Sequence, residues 1–141
     1  MEIPKRIVLD TTALIDHLRS KGEPSTVTRV EGKVELATTM INMFELFLGA
    51  YKTREAKTNL TAVRGVRSIL RILPLTEEAM ELAAKILASL EKAGRPIEIR
   101  DLFVGATALH EGFAVVTQNT THFQRVPGLQ VFSEEELLSR L

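Results

Sequence analysis

Short apolar runs that alternate with stretches of helical spacing constrain the fold of this chain more than any other feature. Runs of strand length lie at residues 6–10, 34–38, 113–117 and 130–132. Between them, apolar side chains recur every three or four positions, as they do on one face of an amphipathic helix. Strands that alternate with helices in this way build a mainly parallel sheet with helices on both faces. The sequence therefore predicts a three-layer α/β/α sandwich.

The helical stretches have recognisable beginnings and ends. Helices are predicted at residues 11–19, 42–51, 59–72, 76–94 and 101–110, with a short one within residues 25–32. Thr76 has the position of an N-cap residue for the longest helix, and Gly94 ends it. Ser133 and Glu136 have the spacing of a capping box and predict a terminal helix. Residues 73–75 form either a third short strand or an extended connection.

The composition limits the kinds of protein that this chain can be. A length of 141 residues fits one domain, residues 1–141, with a single hydrophobic core. There is no cysteine, which excludes disulfides, thiolate metal sites and a cysteine nucleophile. No apolar run approaches the roughly 18 residues of a membrane span, and the first residues lack the long apolar core of a signal peptide. We therefore expect a cytoplasmic protein that does not associate with a membrane.

The charges balance overall but not locally. The formal net charge is zero, so the whole molecule does not attract nucleic acid electrostatically. Residues 52–71, however, carry six lysines and arginines and only one acidic residue. Arg64, Arg67 and Arg71 would share one face of the predicted helix at residues 59–72. That face is either an ordinary solvated surface or a site that binds the phosphates of a nucleic acid.

Three acidic residues lie where a parallel sheet gathers its ligands. Asp10 ends the first strand, and Glu45 lies in the first turn of the helix that follows the second strand. Asp101 begins the helix that precedes the strand at residues 113–117. Ligands of parallel α/β sheets bind beyond the carboxyl ends of the strands. We therefore expect the three carboxylates on one rim, although Asp101 follows a loop and not a strand.

Each of these acids also has an ordinary structural explanation, which is favoured when the residue is taken singly. Asp10 and Asp101 could cap their helices, and Asn42 with Glu45 is close to a capping box. Taken together, the acids favour a functional site over helix capping. The chain has only three aspartates, and two of them occupy strand-end or helix-start positions. The third, Asp16, lies on the outward part of the first helix and is expected to be solvated.

Carboxylates gathered on one rim repel one another and need a positive counter-charge. A hard divalent cation such as Mg²⁺ or Mn²⁺ supplies it, because both ions prefer oxygen ligands. Zinc is disfavoured, since there is no cysteine and the three histidines are scattered along the chain. The chain also lacks a Ser-His-Asp arrangement, a phosphate-binding glycine loop and a dinucleotide-binding fingerprint. The sequence therefore predicts a magnesium or manganese site formed by carboxylates.

Four motifs in this sequence resemble the motifs of PIN domains, in the same order and with approximately the same spacing. They are IVLDTTALI at residues 7–15, NMFELFLG at residues 42–49, RDLFVGATAL at residues 100–109 and VTQNTTHF at residues 116–123, followed by VPGL at residues 126–129. The similarity covers almost the whole chain. The size and the last motif are most similar to the VapC toxins of prokaryotic toxin–antitoxin pairs.

This resemblance implies a PIN-like fold and an endoribonuclease. Asp10, Glu45 and Asp101 would bind the divalent cation and would be the catalytic carboxylates. The implied reaction is hydrolysis of an RNA phosphodiester, in which water activated by the cation attacks phosphorus in line. The products would be a 5′-phosphate and a 3′-hydroxyl. The substrate would be a particular structured or single-stranded RNA, such as a transfer RNA or a ribosomal RNA loop.

The resemblance also assigns supporting roles in this site. Thr11 or Thr12, together with Thr117, would orient the carboxylates by hydrogen bonding. PIN domains often have a fourth acid in the last motif, near the positions that Asn119 and His122 occupy here. Asn119 could offer a neutral carbonyl oxygen or hold a water, and it is included among the catalytic candidates. His122 is expected to be a packing or surface residue. The missing acid puts a tightly held second metal ion in question, but not the first.

The family suggests protein partners in addition to the RNA substrate. VapC-like toxins pair with VapB-like antitoxins, which commonly bind across the active-site groove, often with a basic side chain near the carboxylates. Residues 40–51 form a rich apolar and aromatic stretch. Core packing is its favoured explanation, and contact with a second copy or with an antitoxin is the alternative. From this stretch and the resemblance, we expect a homodimer.

Two other functions are compatible with parts of the pattern. A PIN fold that binds RNA or a partner with weak catalysis would fit the missing fourth acid, but not the retention of the other three. A response-regulator-like phosphoacceptor domain also binds Mg²⁺ through acids at the rim of a parallel sheet. It would need a second acid beside Asp10 and a lysine after the last strand, whereas no lysine follows Lys92. Mn²⁺-dependent cleavage of RNA separates a nuclease from the first alternative.

Overall fold

The computed structural model describes residues 2–141, which form five β-strands and eight α-helices. In chain order these are β1 (Arg6–Leu9), α1 (Thr11–Arg19), α2 (Thr26–Val30), β2 (Glu35–Thr39), α3 (Met40–Tyr51), α4 (Ala56–Arg64), a 3₁₀ helix (Gly65–Ser68), β3 (Arg71–Leu73), α5 (Glu77–Lys92), α6 (Ile99–Glu111), β4 (Ala114–Val116), α7 (Thr120–Phe123), β5 (Val131–Phe132) and α8 (Glu134–Ser139). Across this range, no helix has both the length and the apolar character that crossing a membrane requires.

The five strands form one sheet in the order β3-β2-β1-β4-β5, and every neighbouring pair is parallel. β1 is the central strand, and its Val8 lies opposite Ala37 of β2 on one side and Val115 of β4 on the other. The carboxyl ends of β1, β2 and β4 therefore meet at one edge of the sheet. This edge is where a parallel α/β sheet binds its ligands.

Side chains of β1 alternate between the two faces of the sheet and so contribute to two hydrophobic cores. Ile7 and Leu9 pack with buried residues of α1, α2, α3 and α4 on one face. Val8 lies on the opposite face, together with Val104 and Ala108 of α6. α5 packs against α6 through a further cluster of buried side chains. The predicted three-layer α/β/α sandwich is confirmed.

The predicted helix at residues 59–72 is wrong over its second half. α4 ends at Arg64, a 3₁₀ turn follows, and β3 begins at Arg71. β3 pairs with β2 so that Leu73 lies opposite Thr39. This pairing satisfies backbone donors and acceptors and buries the Leu73 side chain completely. Tertiary pairing therefore outweighs the local helical spacing of the apolar residues.

As a consequence, Arg64, Arg67 and Arg71 do not share a helical face, contrary to the prediction. They lie at the end of α4, in the 3₁₀ helix and at the start of β3, respectively. Arg71 forms exposed ion pairs with Glu35 at 3.5 Å and with Glu111 at 3.9 Å. Glu35 begins β2, so Arg71 lies at the amino ends of the strands, opposite the ligand-binding edge. Of these three arginines, only Arg64 and Arg67 remain candidates for binding phosphates.

Two glycines with helical backbone angles differ in the space around them. A methyl group added to Gly105 of α6 would lie 3.0 Å from Cγ2 of Val126 and 3.5 Å from Cδ1 of Phe123. A methyl group added to Gly65 would meet nothing within 4 Å. Gly105 therefore lets α6 approach the segment that follows α7, and this approach brings the last motif close to the first turns of α6.

We predict opposite effects of Gly65→Ala and Gly105→Ala on the free energy of unfolding. Gly65→Ala should raise it by about 0.4–1 kcal/mol, because alanine restricts the unfolded chain. Gly105→Ala receives the same gain but should lose about 1–3 kcal/mol to overpacking. The variant should therefore be less stable than the wild type. Urea denaturation measures both effects, and equal stability of the two variants would contradict the close approach.

Candidate active site

The three predicted carboxylates meet at the edge of the sheet formed by the carboxyl ends of β1, β2 and β4. Asp10 directly follows β1, and its Oδ1 accepts a hydrogen bond from the backbone N–H of Thr11 at 2.9 Å. Glu45 lies on α3 and Asp101 in the first turn of α6. The side chains of Asp10 and Asp101 are 5% and 2% exposed, and that of Glu45 is 29% exposed. Two carboxylates are thus buried, and the third reaches solvent.

Helix capping explains only one of these three acids. Asp10 is the N-cap residue of α1, so capping alone accounts for its position. Asp101 is not a cap and does not begin its helix as predicted, because α6 starts two residues earlier. Glu45 is not part of a capping box either, since the box on α3 consists of Thr39 and Asn42. The positions of Asp101 and Glu45 therefore call for an explanation other than capping.

The guanidinium group of Arg100 lies among the three carboxylates and bonds to all of them. Its Nη2 donates to Oδ1 of Asp10 and to Oε1 of Glu45, both at 2.6 Å. Its Nε donates to Oε2 of Glu45 at 2.9 Å, and its Nη1 donates to Oδ1 of Asp101 at 2.9 Å. A longer bond, at 3.3 Å, joins Nη1 to Oδ2 of Asp10. One cation therefore balances part of the charge of three anions.

Neutral donors fix the orientation of the carboxylates around this guanidinium. Oγ1 of Thr117 donates to Oδ2 of Asp10 at 2.7 Å, and Nδ2 of Asn42 donates to Oδ1 of Asp10 at 2.8 Å. Oγ1 of Thr11 donates to Oε1 of Glu45 at 2.5 Å. Thr11 and Thr12 were the two candidates for this role. Within residues 2–141, Thr11 donates to a carboxylate, and Thr12 does not.

Arg100 also influences the protonation of the carboxylates. Burial raises the pKa of Asp10, but the hydrogen bonds and charge of Arg100, together with Thr117, outweigh burial and hold that pKa below its ordinary value. The same balance, with Thr11 as the neutral donor, lowers the pKa of Glu45. Burial lowers the pKa of the Arg100 guanidinium, but the carboxylates raise it well above its ordinary value. Asp10, Glu45 and Arg100 are therefore all charged at neutral pH.

The last motif brings His122 into contact with the carboxylates. Nδ1 of His122 lies 3.0 Å from Oδ2 of Asp101, and the histidine side chain is 41% exposed. We expected a packing or surface residue at this position, and the structure places its ring beside a predicted metal ligand. Asn119 is exposed and precedes α7, and its backbone N–H donates to Oγ1 of Thr117 at 3.0 Å. Asn119 therefore lies next to the site, and a catalytic role for its side chain stays a prediction.

The donors at this edge suit a divalent cation in their chemistry. They are carboxylate oxygens, which Mg²⁺ and Mn²⁺ prefer, and one guanidinium does not neutralise their charge. As the side chains stand between residues 2 and 141, no three histidine, cysteine, aspartate or glutamate groups surround a common ion position. The nitrogens of Arg100 bond to all three carboxylates instead.

Arg100 and Asn42 belong to this cluster, although the sequence analysis did not predict either of them as a site residue. Arg100 immediately precedes Asp101, so the first turn of α6 brings a cation to the edge together with the acid. Asn42 lies three residues before Glu45 and therefore on the same side of α3. A basic residue adjacent to a predicted metal ligand is the signal that could have identified Arg100.

Comparison with known proteins is consistent with this arrangement. The sequence profile of the PIN domain family matches residues 7–129, a range that contains the whole carboxylate cluster. Two similar proteins are both named tRNA(fMet)-specific endonuclease VapC. The one from Salmonella typhimurium is 29% identical over 126 residues, which cover 89% of this chain and 96% of the relative. The one from Shigella flexneri is 30% identical over 129 residues, which cover 89% of this chain and 95% of the relative.

A solved structure is also similar to this chain. The DNA-bound VapBC complex from Salmonella typhimurium matches with a TM-score of 0.79 and 27% identity, over 92% of this chain and 98% of the matched chain. The profile match covers most of the sequence, and both relatives match along nearly their full length. The response-regulator-like alternative is thereby set aside. The chain belongs to the PIN-domain family and, within it, to the VapC group of ribonucleases.

Proposed function

We propose that this protein is a metal-dependent endoribonuclease that hydrolyses RNA phosphodiesters and acts as the toxin of a VapBC-type toxin–antitoxin pair. The observation that carries the proposal is the convergence of Asp10, Glu45 and Asp101 at the carboxyl edge of the sheet. RNA as the substrate is supported by the two VapC relatives, which are named as endonucleases specific for tRNA(fMet).

Asp10, Glu45 and Asp101 would hold the cation, which we propose to be Mg²⁺ or Mn²⁺. When bound, such an ion lowers the pKa of a coordinated water and offsets charge on the phosphoryl oxygens. Asp10 is the most firmly oriented of the three ligands, because Thr117, Asn42 and the first backbone N–H of α1 all bond to it. Glu45 is the most exposed ligand, so it faces the side from which RNA reaches the site.

The last motif would contribute neutral and aromatic groups where PIN domains often carry a fourth acid. Asn119, exposed beside Thr117, would contact the RNA or an ordered water through its amide. His122 contacts Asp101 and would keep that carboxylate oriented toward the site. Because this motif supplies no carboxylate, the proposal requires one resident ion and not two.

A PIN fold that binds RNA or a partner without efficient cleavage is the second candidate function. The neutral side chain of Asn119 favours this second function, because it leaves the last motif without an acid. The bonds of Arg100 to all three carboxylates favour it too, because they satisfy the acids without a metal ion. The complete set of three acids favours the nuclease, because capping accounts for the position of Asp10 but not for those of Glu45 and Asp101.

The protein partner that we propose is a VapB-like antitoxin, since the matched solved structure is a VapBC complex. A groove between α1, α3 and α4 opens beside Glu45. Its lining is mostly apolar and comprises Ile15, Leu18, Arg19, Glu45, Leu46, Gly49, Ala50, Thr53, Asn59, Ala62 and Val63. Such a groove suits an amphipathic segment of an antitoxin. A segment bound there would cover Glu45 and exclude RNA from the site.

α3 also carries an exposed apolar stripe, which we propose is covered by a second copy of the chain. The stripe consists of Met40, Phe44, Leu48 and Tyr51, whose exposures are 42%, 61%, 41% and 65%. Their spacing of four, four and three residues places them on one side of the helix. The opposite side of α3 is buried in the core. Core packing therefore accounts for five of the nine apolar residues of α3, and a homodimer would account for the other four.

Replacement of a site carboxylate by its neutral amide should abolish cleavage. Asp10→Asn and Asp101→Asn should each lower the rate by at least ~10²–10³-fold, because a key electrostatic group is lost. The matched control is Asp16→Asn, on the exposed side of α1. The rate is measured on labelled transfer RNA with Mg²⁺ or Mn²⁺, and again after chelation. Wild-type activity in folded Asp10→Asn would refute the mechanism, and a wild type that binds RNA without cutting it would support the second candidate function.

The dimer is tested by introducing a charge into the stripe. Phe44→Glu should convert a dimer to a monomer, because an unpaired carboxylate buried in an interface is strongly unfavourable. Leu75→Glu is the control, since Leu75 is 37% exposed and lies outside the stripe. Light scattering at micromolar concentration gives the mass of each variant. A monomer mass for the wild-type protein, measured without antitoxin, would refute the homodimer.

Arg64 and Arg67 are tested through the salt dependence of RNA binding. If both contact phosphates of single-stranded RNA, the double change to Gln should flatten the slope of log affinity against log salt by up to ~1.4, at about 0.7 per contact. Arg71→Gln is the control, because its ion pairs hold Arg71 at the opposite edge of the sheet. Fluorescence anisotropy at several salt concentrations provides the slopes. An unchanged slope in the double variant would assign both arginines to a solvated surface or to an antitoxin contact.

A further inference from the structure

We propose that Arg100 is a catalytic residue that exchanges its carboxylate partners for a phosphate group of the RNA when the carboxylates bind metal. The inference rests on the proposed function and assigns two positions to one side chain. In the position seen in the structure, the guanidinium lies between Asp10, Glu45 and Asp101. In the other position, it lies at the edge of the site and donates to the phosphate.

The guanidinium and a divalent cation would compete for the same carboxylate oxygens. Nη2 of Arg100 lies 2.6 Å from an oxygen of Asp10 and 2.6 Å from an oxygen of Glu45. Mg²⁺ requires its oxygen ligands at about 2.0–2.1 Å. An ion bound to both oxygens would compete with Nη2 for them and would lie close to the positive guanidinium, which repels it. Repulsion between the two cations therefore favours departure of Arg100 from these oxygens when they bind metal.

The charge and exposure of the cluster permit this exchange. Three carboxylates carry more negative charge than one guanidinium neutralises, so the cluster still attracts a divalent cation while Arg100 is bound. The side chain of Arg100 is 26% exposed, which means that it has a path to solvent that does not require unfolding of the core. Its backbone stays beside Asp101 in the first turn of α6. A displaced guanidinium therefore remains within one side-chain length of the site.

A displaced Arg100 needs new acceptors, and the RNA phosphate is the group that supplies them. All three nitrogens of the guanidinium donate to the carboxylates, and Nη2 also donates to Thr11 at 3.1 Å. These donors lose their partners when metal is bound, while the guanidinium stays charged. Two phosphate oxygens match the fork of a guanidinium. Placed there, Arg100 would stabilise the charge that develops on the phosphate during cleavage.

The movement of Arg100 can be observed directly by nuclear magnetic resonance. The Nε–H signal of Arg100 is identified by its absence in Arg100→Gln, and the wild-type protein is then titrated with Mg²⁺ alone. We expect this signal to shift strongly, because Nε leaves the Glu45 carboxylate. The Nε–H signal of Arg29, which is exposed on α2, should stay unchanged. An unshifted Arg100 signal at saturating Mg²⁺ would overturn the proposal.

Competition between Arg100 and metal also predicts a change in metal affinity. Arg100→Gln should bind Mn²⁺ at least ~10-fold more tightly than the wild type. In this variant no guanidinium competes with the ion, so the carboxylates no longer have to be released before they bind it. Arg100→Lys keeps the charge but lacks the fork that bridges the carboxylates, so its affinity should be intermediate. Arg29→Gln is the matched control. Calorimetric titration with Mn²⁺ measures all four proteins, and unchanged or weaker binding by Arg100→Gln would overturn the proposal.

Cleavage at saturating Mn²⁺ tests the contact with phosphate. Arg100→Gln should be roughly 10²-fold slower in kcat than the wild type despite its tighter metal binding, and Arg100→Lys should recover part of the rate. Wild-type or faster cleavage by Arg100→Gln would overturn the proposal, because Arg100 would then act only as an inhibitor. A wild-type protein that cleaves no RNA would refute the ribonuclease proposal. The two metal titrations use no RNA, so they would still report whether Arg100 gives way to metal.

Discussion

Repulsion among three carboxylates is the constraint on which the arrangement of this site depends, because acids cannot gather at one edge of a sheet without a positive charge between them. The fold meets this constraint with neighbouring residues, since the turn of α6 that carries Asp101 also carries Arg100. Asp10 directly follows the central strand and Glu45 lies on α3, so the guanidinium connects segments that are distant in sequence. The site is therefore an electrostatic link between both helical layers and the sheet, and not only a place for chemistry.

Much of the fold could be predicted because its signals are local and strong. The apolar run that ends in Asp10 has the length and composition of a buried parallel strand, and it forms the centre of the sheet. The end of that strand located Asp10 by a rule that holds for parallel α/β sheets in general. Glu45 was expected in the first turn of the helix after β2, but α3 begins at Met40, so Glu45 lies in its second turn. The capping box of Ser133 and Glu136 was predicted in the same way, from spacing alone, and is present in the structure.

The failures have a common physical cause, which is that the deciding contacts are distant in sequence. The predicted helix runs to residue 72, and only pairing with β2 makes residues 71–73 a strand. Arg100 looked like an ordinary residue of a loop, and its importance depends on acids that lie 55 and 90 positions away. His122 offered no spacing signal that could bring it to Asp101. Local propensity cannot report such contacts, because it contains no information about which elements become neighbours.

The hydrogen bonding of the sheet continues into the site. The backbone N–H of Asp10 donates to the carbonyl of Val116 at 3.0 Å, and that of Thr117 donates to the carbonyl of Phe132 at 2.9 Å. The contact between Asp10 and Thr117 thus joins residues that the strand ladder has already aligned. A slip of one residue between β1 and β4 would turn Asp10 to the other face of the sheet and Leu9 out of its core. Molecules that pair their strands out of register would therefore lose the arrangement of the carboxylates together with the core, so a misfolded fraction of this protein would be inactive.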